Sequence, residues 1–272
     1  MGLKSYLMSR VRAARDRVAR RGLAVRTVRG REQWRAGVEI VWHDFDEATE
    51  RVTISRARGP GCEARFLVRN RDDWIQGHHL RGVFYASDEL AVIARHFRGG
   101  TFLDVGANVG NHSIFAALGL RADKVIACEP NPVARRILLC NIALNDLPGV
   151  VECVPFGLSD RDGFATPHEP EHGMNLGGTR LVEGSGPVQL RRGDDLFTGE
   201  TPAFIKIDVE GLELEVLAGL RQTIARCRPA MLVEVNDDHR AAFDAFCAEH
   251  GYRLVEEMRP YPTQANLVVV PG

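Results

Sequence analysis

The sequence predicts an α/β fold of Rossmann-like character, with a mostly parallel sheet closed by an antiparallel strand. Three observations predict it. From residue 101 onward, short apolar runs of strand length alternate with helical patterns. The first run, Phe102–Val105, passes directly into the glycine turn Gly106–Gly110. The last two runs, Tyr252–Glu256 and Leu267–Val270, have only a loop between them, so that pair must be antiparallel.

Each element has its own signal. Ser87 or Asp88 can cap a helix whose apolar face is Leu90, Ile93, Ala94 and Phe97, stopped by Gly99 and Gly100. A helix over His112–Leu118 follows the glycine turn. Strand Val125–Cys128 leads to helix Pro132–Leu144, then strand Val151–Phe156. The stretch Gly157–Gly186 is polar and Gly-rich and reads as a long loop; one segment of it, with His168, His172, Met174, Asn175, Gly177 and Gly178, is either a lid over the acceptor or a disordered surface loop. Strand Phe204–Ile207, helix Leu212–Ile224, strand Met231–Val235 and helix Arg240–His250 complete the alternation. Residues 1–84 form a separate extension, a basic helix followed by a small β-rich cap; residues 85–272 form the main domain. In the cap, Val38–Trp42, Arg51–Ser55 and Arg65–Val68 read as strands, with turn-formers Gly59, Pro60 and Gly61. Trp34, Trp42 and Trp74 are either its core or a platform for a sugar ring.

Composition is that of an ordinary globular chain: 272 residues, 44% apolar, 26% charged. No apolar run approaches the length of a membrane-spanning helix, and the N-terminus lacks an apolar secretory segment. Six cysteines without a C-x-x-C pair read as free thiols of a reducing, cytoplasmic protein. The net charge of −1 conceals an asymmetry. Residues 1–35 carry eleven Lys or Arg against Asp16 and Glu32, a formal +9, which leaves −10 for the remainder. Leu3, Leu7, Val11, Ala14 and Val18 recur at helical spacing, so this segment packs on the body, meets an anionic membrane surface or polyanion, or, being Arg-rich and acid-poor, serves as a mitochondrial targeting segment. No nucleic-acid partner is indicated; a homodimer is left open.

Three stretches carry chemistry. Asp104-Val105-Gly106-Ala107-Asn108-Val109-Gly110 bends between strand and helix, where backbone can approach a ligand. Its G-x-x-x-G spacing departs from the dinucleotide fingerprint, which argues against an NAD-dependent oxidoreductase. Glu129 ends the second strand, 19 residues past Gly110, where a carboxylate can accept both hydroxyls of a ribose. Lys206-Ile207-Asp208-Val209-Glu210-Gly211-Leu212-Glu213 ends the fourth strand, so Asp208 should face the same crevice as Gly106. An ammonium and several carboxylates there suit acid–base work, although Glu213 also fits a helix-start acid.

In this order and spacing, DVGANVGNHS, ACEPNP, GLSD, KIDVEGLELEVLAGL and LVEV resemble the FkbM family of S-adenosylmethionine-dependent methyltransferases. The resemblance covers roughly residues 85 to 270, and K-I-D-V-E-G-x-E is its most specific part. It implies a class I methyltransferase fold, with a seven-stranded mixed sheet whose last strand is antiparallel, and it implies O-methylation. By position, Asp104, Gly106, Ala107, Asn108 and Gly110 would line the methionine part of the cofactor. Glu129 would hold the ribose with Asn131 beside it, and Leu158 and Ser159 would close over the adenine.

The expected function is therefore methyl transfer from S-adenosylmethionine to a hydroxyl of a glycan, lipid head group or natural product. Asp208 would accept or orient that hydroxyl, Lys206 would tune it, and Glu234 would help shape the site. The site is read as metal-free; the alternative is Mg²⁺ held by Asp208, Asn236 and Asp237. His112, opening the first helix, could contact the acceptor, whereas His78 and His79 read as packed or solvated. The rival reading is a non-catalytic nucleotide-binding scaffold anchored at a membrane surface through residues 1–35.

Overall fold

The computed structural model describes residues 52–168 and 176–272. The basic segment 1–35, the strand at Val38–Trp42, Trp34, Trp42, His172, Met174 and Asn175 lie outside the described residues. The chain forms the hairpin β1 (Thr53–Gly59) and β2 (Cys62–Val68), then α1 (Trp74–Leu80) and α2 (Ser87–His96). The alternating part runs β3 (Thr101–Val105), α3 (Asn111–Leu118), β4 (Lys124–Cys128), α4 (Pro132–Leu144) and β5 (Val151–Val154). After an inserted small sheet come β10 (Pro202–Ile207), α6 (Glu213–Gly219), α7 (Arg221–Cys227) and β11 (Ala230–Asn236). Helix α8 (Arg240–Glu249), β12 (Tyr252–Tyr261) and β13 (Gln264–Pro271) end the chain. Among the described residues no helix is long and apolar enough to cross a membrane.

The main sheet has seven strands in the order β12-β13-β11-β10-β3-β4-β5, with β13 antiparallel to both neighbours and the pairs among β11, β10, β3, β4 and β5 parallel. The expected mixed α/β sheet is present. Its last strand does not form the outer edge, however: β13 inserts between β11 and β12. Leu267, Val268 and Val269 are fully buried, so this run needs cover on both faces, whereas β12 carries exposed Arg253 and Glu257 suited to an edge.

Strand alternation splits the core in two. Phe102, Phe204, Leu232 and Val268 face Leu90, Ile93, Ile114 and Phe115 on one side. Leu103, Ile205, Val233 and Leu267 face Val216, Leu217, Ile224 and Phe243 on the other. Phe102 and Phe204 stack across adjacent strands, centroids 5.3 Å apart and planes 6° from parallel. The hairpin joins the first of these cores through Ala57, Ala64 and Phe66. Its edge is satisfied by side chains of α4: Asn141 Oδ1 accepts from Leu67 N at 2.7 Å, and Asn145 Oδ1 from Arg65 N at 2.8 Å.

Three expectations need correction. Gly157–Gly186 holds strands where a loop was expected: β6 (Gly157–Ser159), β7 (Gly163–His168) and β8 (Arg180–Glu183), which assemble with β9 (Val188–Arg192), just beyond it, in the order β6-β9-β7-β8. Its own core is only Ala165, Val188 and Leu190 with Leu181 against them, too small for a clear period-2 signal. The helix expected over Leu212–Ile224 is two helices, α6 and α7, meeting at Leu220. There, Gly219 packs on β6 so closely that a Cβ would lie 2.0 Å from the Ser159 carbonyl oxygen. Finally, α2 is preceded by Ala86 at φ 52°, without a side-chain cap, and Ser87 and Asp88 stay exposed.

Phe204→Ala removes half of the central stack and should cost about 3–5 kcal/mol. Urea unfolding checks this as a lowered midpoint at unchanged m; a loss below about 1 kcal/mol would show that the stack is dispensable.

Candidate active site

The chain leaves β3 toward β4 and β5 on one side and returns to β10 and β11 on the other. At such a reversal the strand ends open a crevice. Backbone contacts draw it together: Asp208 N donates to Val105 O at 3.1 Å, and Gly106 N donates to Cys128 O at 3.1 Å. Gly106, at φ +82°, lies so close to the strand opposite that a Cβ would fall 1.8 Å from the Asp208 carbonyl oxygen. Only glycine brings these two strand ends this close. The crevice holds a cavity of about 1190 Å³.

The turn after β3 and the ends of β4 and β5 supply one side, with Gly106, Ala107, Asn108, Glu129, Phe156 and Leu158 in its lining. Glu129 is fixed by the backbone, its Oε2 accepting from Asn108 N and its Oε1 from Asn131 N, both at 2.7 Å. Burial pushes its carboxyl up to about 7, against the downward pull of those two amides. Each oxygen retains acceptor capacity for a hydroxyl. Asn108, at φ 49°, has a buried Oδ1 with no hydrogen-bond partner among the described residues, a polar atom suited to a ligand.

The ends of β10 and β11 supply the other side. Lys206 is buried, with Nζ 3.1 Å from Asp208 Oδ2, 3.8 Å from Asp104 Oδ1 and 3.3 Å from Gly106 O. Burial alone would lower its pKa, but Asp208, Asp104 and Glu89 together push it up, so it is a fixed cation. Burial would raise Asp208, yet Lys206 and a hydrogen bond from Glu234 hold it below its ordinary value. Glu234 is pushed up by burial first and then by the Asp208 charge, so the proton of this carboxyl pair resides on Glu234.

Of the residues singled out from sequence, Gly106, Ala107, Asn108, Glu129, Asn131, Leu158, Lys206, Asp208 and Glu234 line the cavity. Asp104, Gly110 and Ser159 do not. Asp104 lies beneath, fully buried, accepting from Ser113 Oγ at 2.5 Å. Gly110, at φ 91°, starts α3 and packs on Leu138. Ser159 turns away to Glu183 Oε1 at 2.5 Å. Asn131 reaches the cavity, but its Oδ1 caps α4 by accepting from Val133 N and Ala134 N, so that oxygen serves the helix.

The metal set weighed from sequence is not assembled. Asn236 and Asp237 lie outside the lining, and Asp237 pairs with Arg259 at 3.0 Å. Asp208, Glu210 and Glu234 do bring one carboxylate oxygen each within 4.8 Å of one another. Their charge is already offset by Lys206 and by the proton on Glu234.

Of the outer wall, sequence reasoning weighed Trp74 as a platform for a sugar ring and His78 as packed or solvated, but did not reach Tyr85, Glu89 or Tyr261. Trp74, 58% exposed, His78 and Tyr85 form an aromatic row, with ring centroids 6.0 and 5.3 Å apart in succession. Tyr261, from the β12–β13 hairpin, meets Tyr85 with their hydroxyls 2.9 Å apart. Glu89, in the first turn of α2, lies 3.1 Å from His112 Nε2, and both line the cavity. Gly177 and Gly178, from the proposed lid, contribute to the wall, while His168 is an exposed residue of β7.

A family model described as the methyltransferase FkbM domain matches residues 104–254. The chain is 33% identical over 170 residues to the hexuronic acid methyltransferase AglP of Haloferax volcanii, covering 60% of this chain and 67% of that protein. It is 28% identical over 208 residues to the methyltransferase sdnD of Sordaria araneosa, covering 61% and 79%. Among solved structures, methyltransferase FkbM from Methylobacillus flagellatus aligns at a TM-score of 0.46 with 16% identity, over 72% of this chain and only 52% of that one. TYW2 of M. jannaschii in complex with AdoMet aligns at 0.44 with 15% identity, over 82% and 85%.

The raised pKa of Glu129 has a consequence for stability. Its carboxyl titrates near 4.5 when free and about 7 in the fold, so between these values the folded chain holds a proton that the unfolded chain has lost. Stability should fall as pH rises through this window, by up to about 3 kcal/mol, and Glu129→Gln should remove that share of the slope. Urea unfolding at pH 5 and pH 8 checks it; identical pH dependence in both proteins contradicts it.

Proposed function

We propose, from the premise that this chain belongs to the FkbM methyltransferase family, that it transfers a methyl group from S-adenosylmethionine to a hydroxyl oxygen of a sugar-bearing acceptor. The observation that carries this reading is one cavity lined both by Glu129 and by the Lys206–Asp208–Glu234 group. At about 1190 Å³ it exceeds the roughly 300–1,000 Å³ of a site for one small ligand, leaving room for donor and acceptor together.

The donor, when bound, supplies an electrophilic methyl carbon on a sulfonium. Everything else falls to the chain. Glu129 accepts the ribose hydroxyls, and the open backbone at Gly106 lets the rest of the donor approach. The orphan Asn108 Oδ1 offers a further acceptor. Asp208, 36% exposed and held ionised by Lys206, accepts a hydrogen bond from the acceptor hydroxyl and orients its lone pair. Alignment of this kind can account for about 7–11 kcal/mol of a barrier.

The sugar class is supported by two things. Trp74, at the outer end of the row Trp74–His78–Tyr85, offers an exposed ring on which the apolar face of a pyranose can lie. The relative AglP is named for its action on a hexuronic acid.

Asp208→Asn should lower kcat by about 100-fold or more while leaving the dissociation constant for S-adenosylmethionine nearly unchanged. Calorimetric titration with S-adenosylmethionine and with NAD, alongside a radiolabelled methyl-transfer assay, checks both halves. Binding of NAD alone, or a variant with full kcat, would overturn the reading.

A further inference from the structure

Methylating a hydroxyl requires a group to remove its proton, and Asp208 is poorly suited to that task. Its Oδ2 lies 3.1 Å from a permanently charged Lys206, and Glu234 donates a hydrogen bond to the same carboxylate. A carboxylate stabilised in this way orients a hydroxyl well and captures a proton badly, because efficient bases have affinities matched to the working pH.

A better base stands across the cavity. His112, in the first turn of α3, lines it and is nearly buried, and its Nε2 lies 3.1 Å from Glu89 Oε1. Glu89 is anchored in turn, since its Oε2 accepts from Asn266 Nδ2 at 3.2 Å, and Asn266 stands opposite Glu234 in the β11–β13 register. Nε2 makes no hydrogen bond among the described residues, but a carboxylate 3.1 Å away favours the proton on that nitrogen and leaves Nδ1 as the basic one. The charged groups set against this ring are Glu89 on α2 and Asp208 at the end of β10; Lys206, Glu234 and the Tyr85 hydroxyl line the same cavity.

We propose that His112, backed by Glu89, is the base that takes the proton of the acceptor hydroxyl, and that the reacting group is therefore a neutral hydroxyl and not a carboxylate. A carboxylate would need no base and would face Asp208 and Glu89 at close range. The assignment rests on the methyl-transfer reading above. As the acceptor oxygen bonds the methyl carbon, the carbon–sulfur bond breaks with its electron pair passing to sulfur. The hydroxyl proton passes to His112 and then to solvent.

The test uses the full chain, radiolabelled S-adenosylmethionine, and methyl β-glucuronoside and methyl β-glucoside as acceptors. His112→Gln should lower kcat by about 100-fold or more and leave donor affinity, read by calorimetry, within about threefold. The wild-type rise of kcat with pH should vanish in His112→Gln. Glu89→Gln should lower kcat in the same direction by a smaller factor, with donor affinity unchanged, and Glu89→Asp should restore part of the loss. The product should be an alkali-stable ether on both sugars. A His112→Gln variant that keeps its kcat or its pH profile overturns the assignment, as does an alkali-labile ester on the glucuronoside alone. A wild type that fails to bind the donor, or binds it and methylates neither sugar, overturns the underlying reading and the assignment with it.

Discussion

One buried ammonium organises this site. Lys206 projects from β10 between Asp104 on β3 and Asp208, and also donates to the carbonyl of Gly106. Without it, two carboxylates would be stranded in a poorly solvated crevice, a cost of several kcal/mol. With it, Asp208 stays ionised facing the cavity, and Asp104 stays in the core, where it also accepts from Ser113 of α3. The same contacts fix the glycine turn against the end of β10, so the wall that bears Glu129 and the wall that bears Asp208 are set by one group.

The fold was legible where period and burial agree. Phe102–Val105, Val125–Cys128 and Phe204–Ile207 are fully buried parallel strands, and such strands read as continuous apolar runs. The inserted sheet was not legible. Its strands are short, its core is three residues, and Phe164 and Val182 on it are exposed, so alternation never rises above the polar background. The place of β13 was only half legible. Its antiparallel direction follows from the short connection to β12, but insertion beside β11 is a tertiary matter of which strand can be buried on both faces.

Glu129, Asn108 and Asp208 could be brought to one cavity from sequence because strand ends and glycine turns announce where side chains converge. Asp104 and Ser159 stand outside the cavity lining for a common reason. Spacing tells which turn a residue belongs to, and alternation along a strand then sends one neighbour to the ligand and the next to the core. The outer wall had no such signal. Trp74, Tyr85 with Glu89, and Tyr261 come from three separate parts of the chain, and only the packing of α1, α2 and the β12–β13 turn brings them around the cavity.

The account stands on one geometric statement: a methyl donor's nucleoside is held at Glu129, with its reactive carbon directed toward Asp208. A crystal structure of the complex with S-adenosylhomocysteine tests it most directly. The account predicts both ribose hydroxyls within hydrogen-bond distance of the Glu129 carboxylate and the sulfur on the side of the crevice that Asp208 lines. Ligand density elsewhere, or a ribose held by groups other than Glu129, would contradict it.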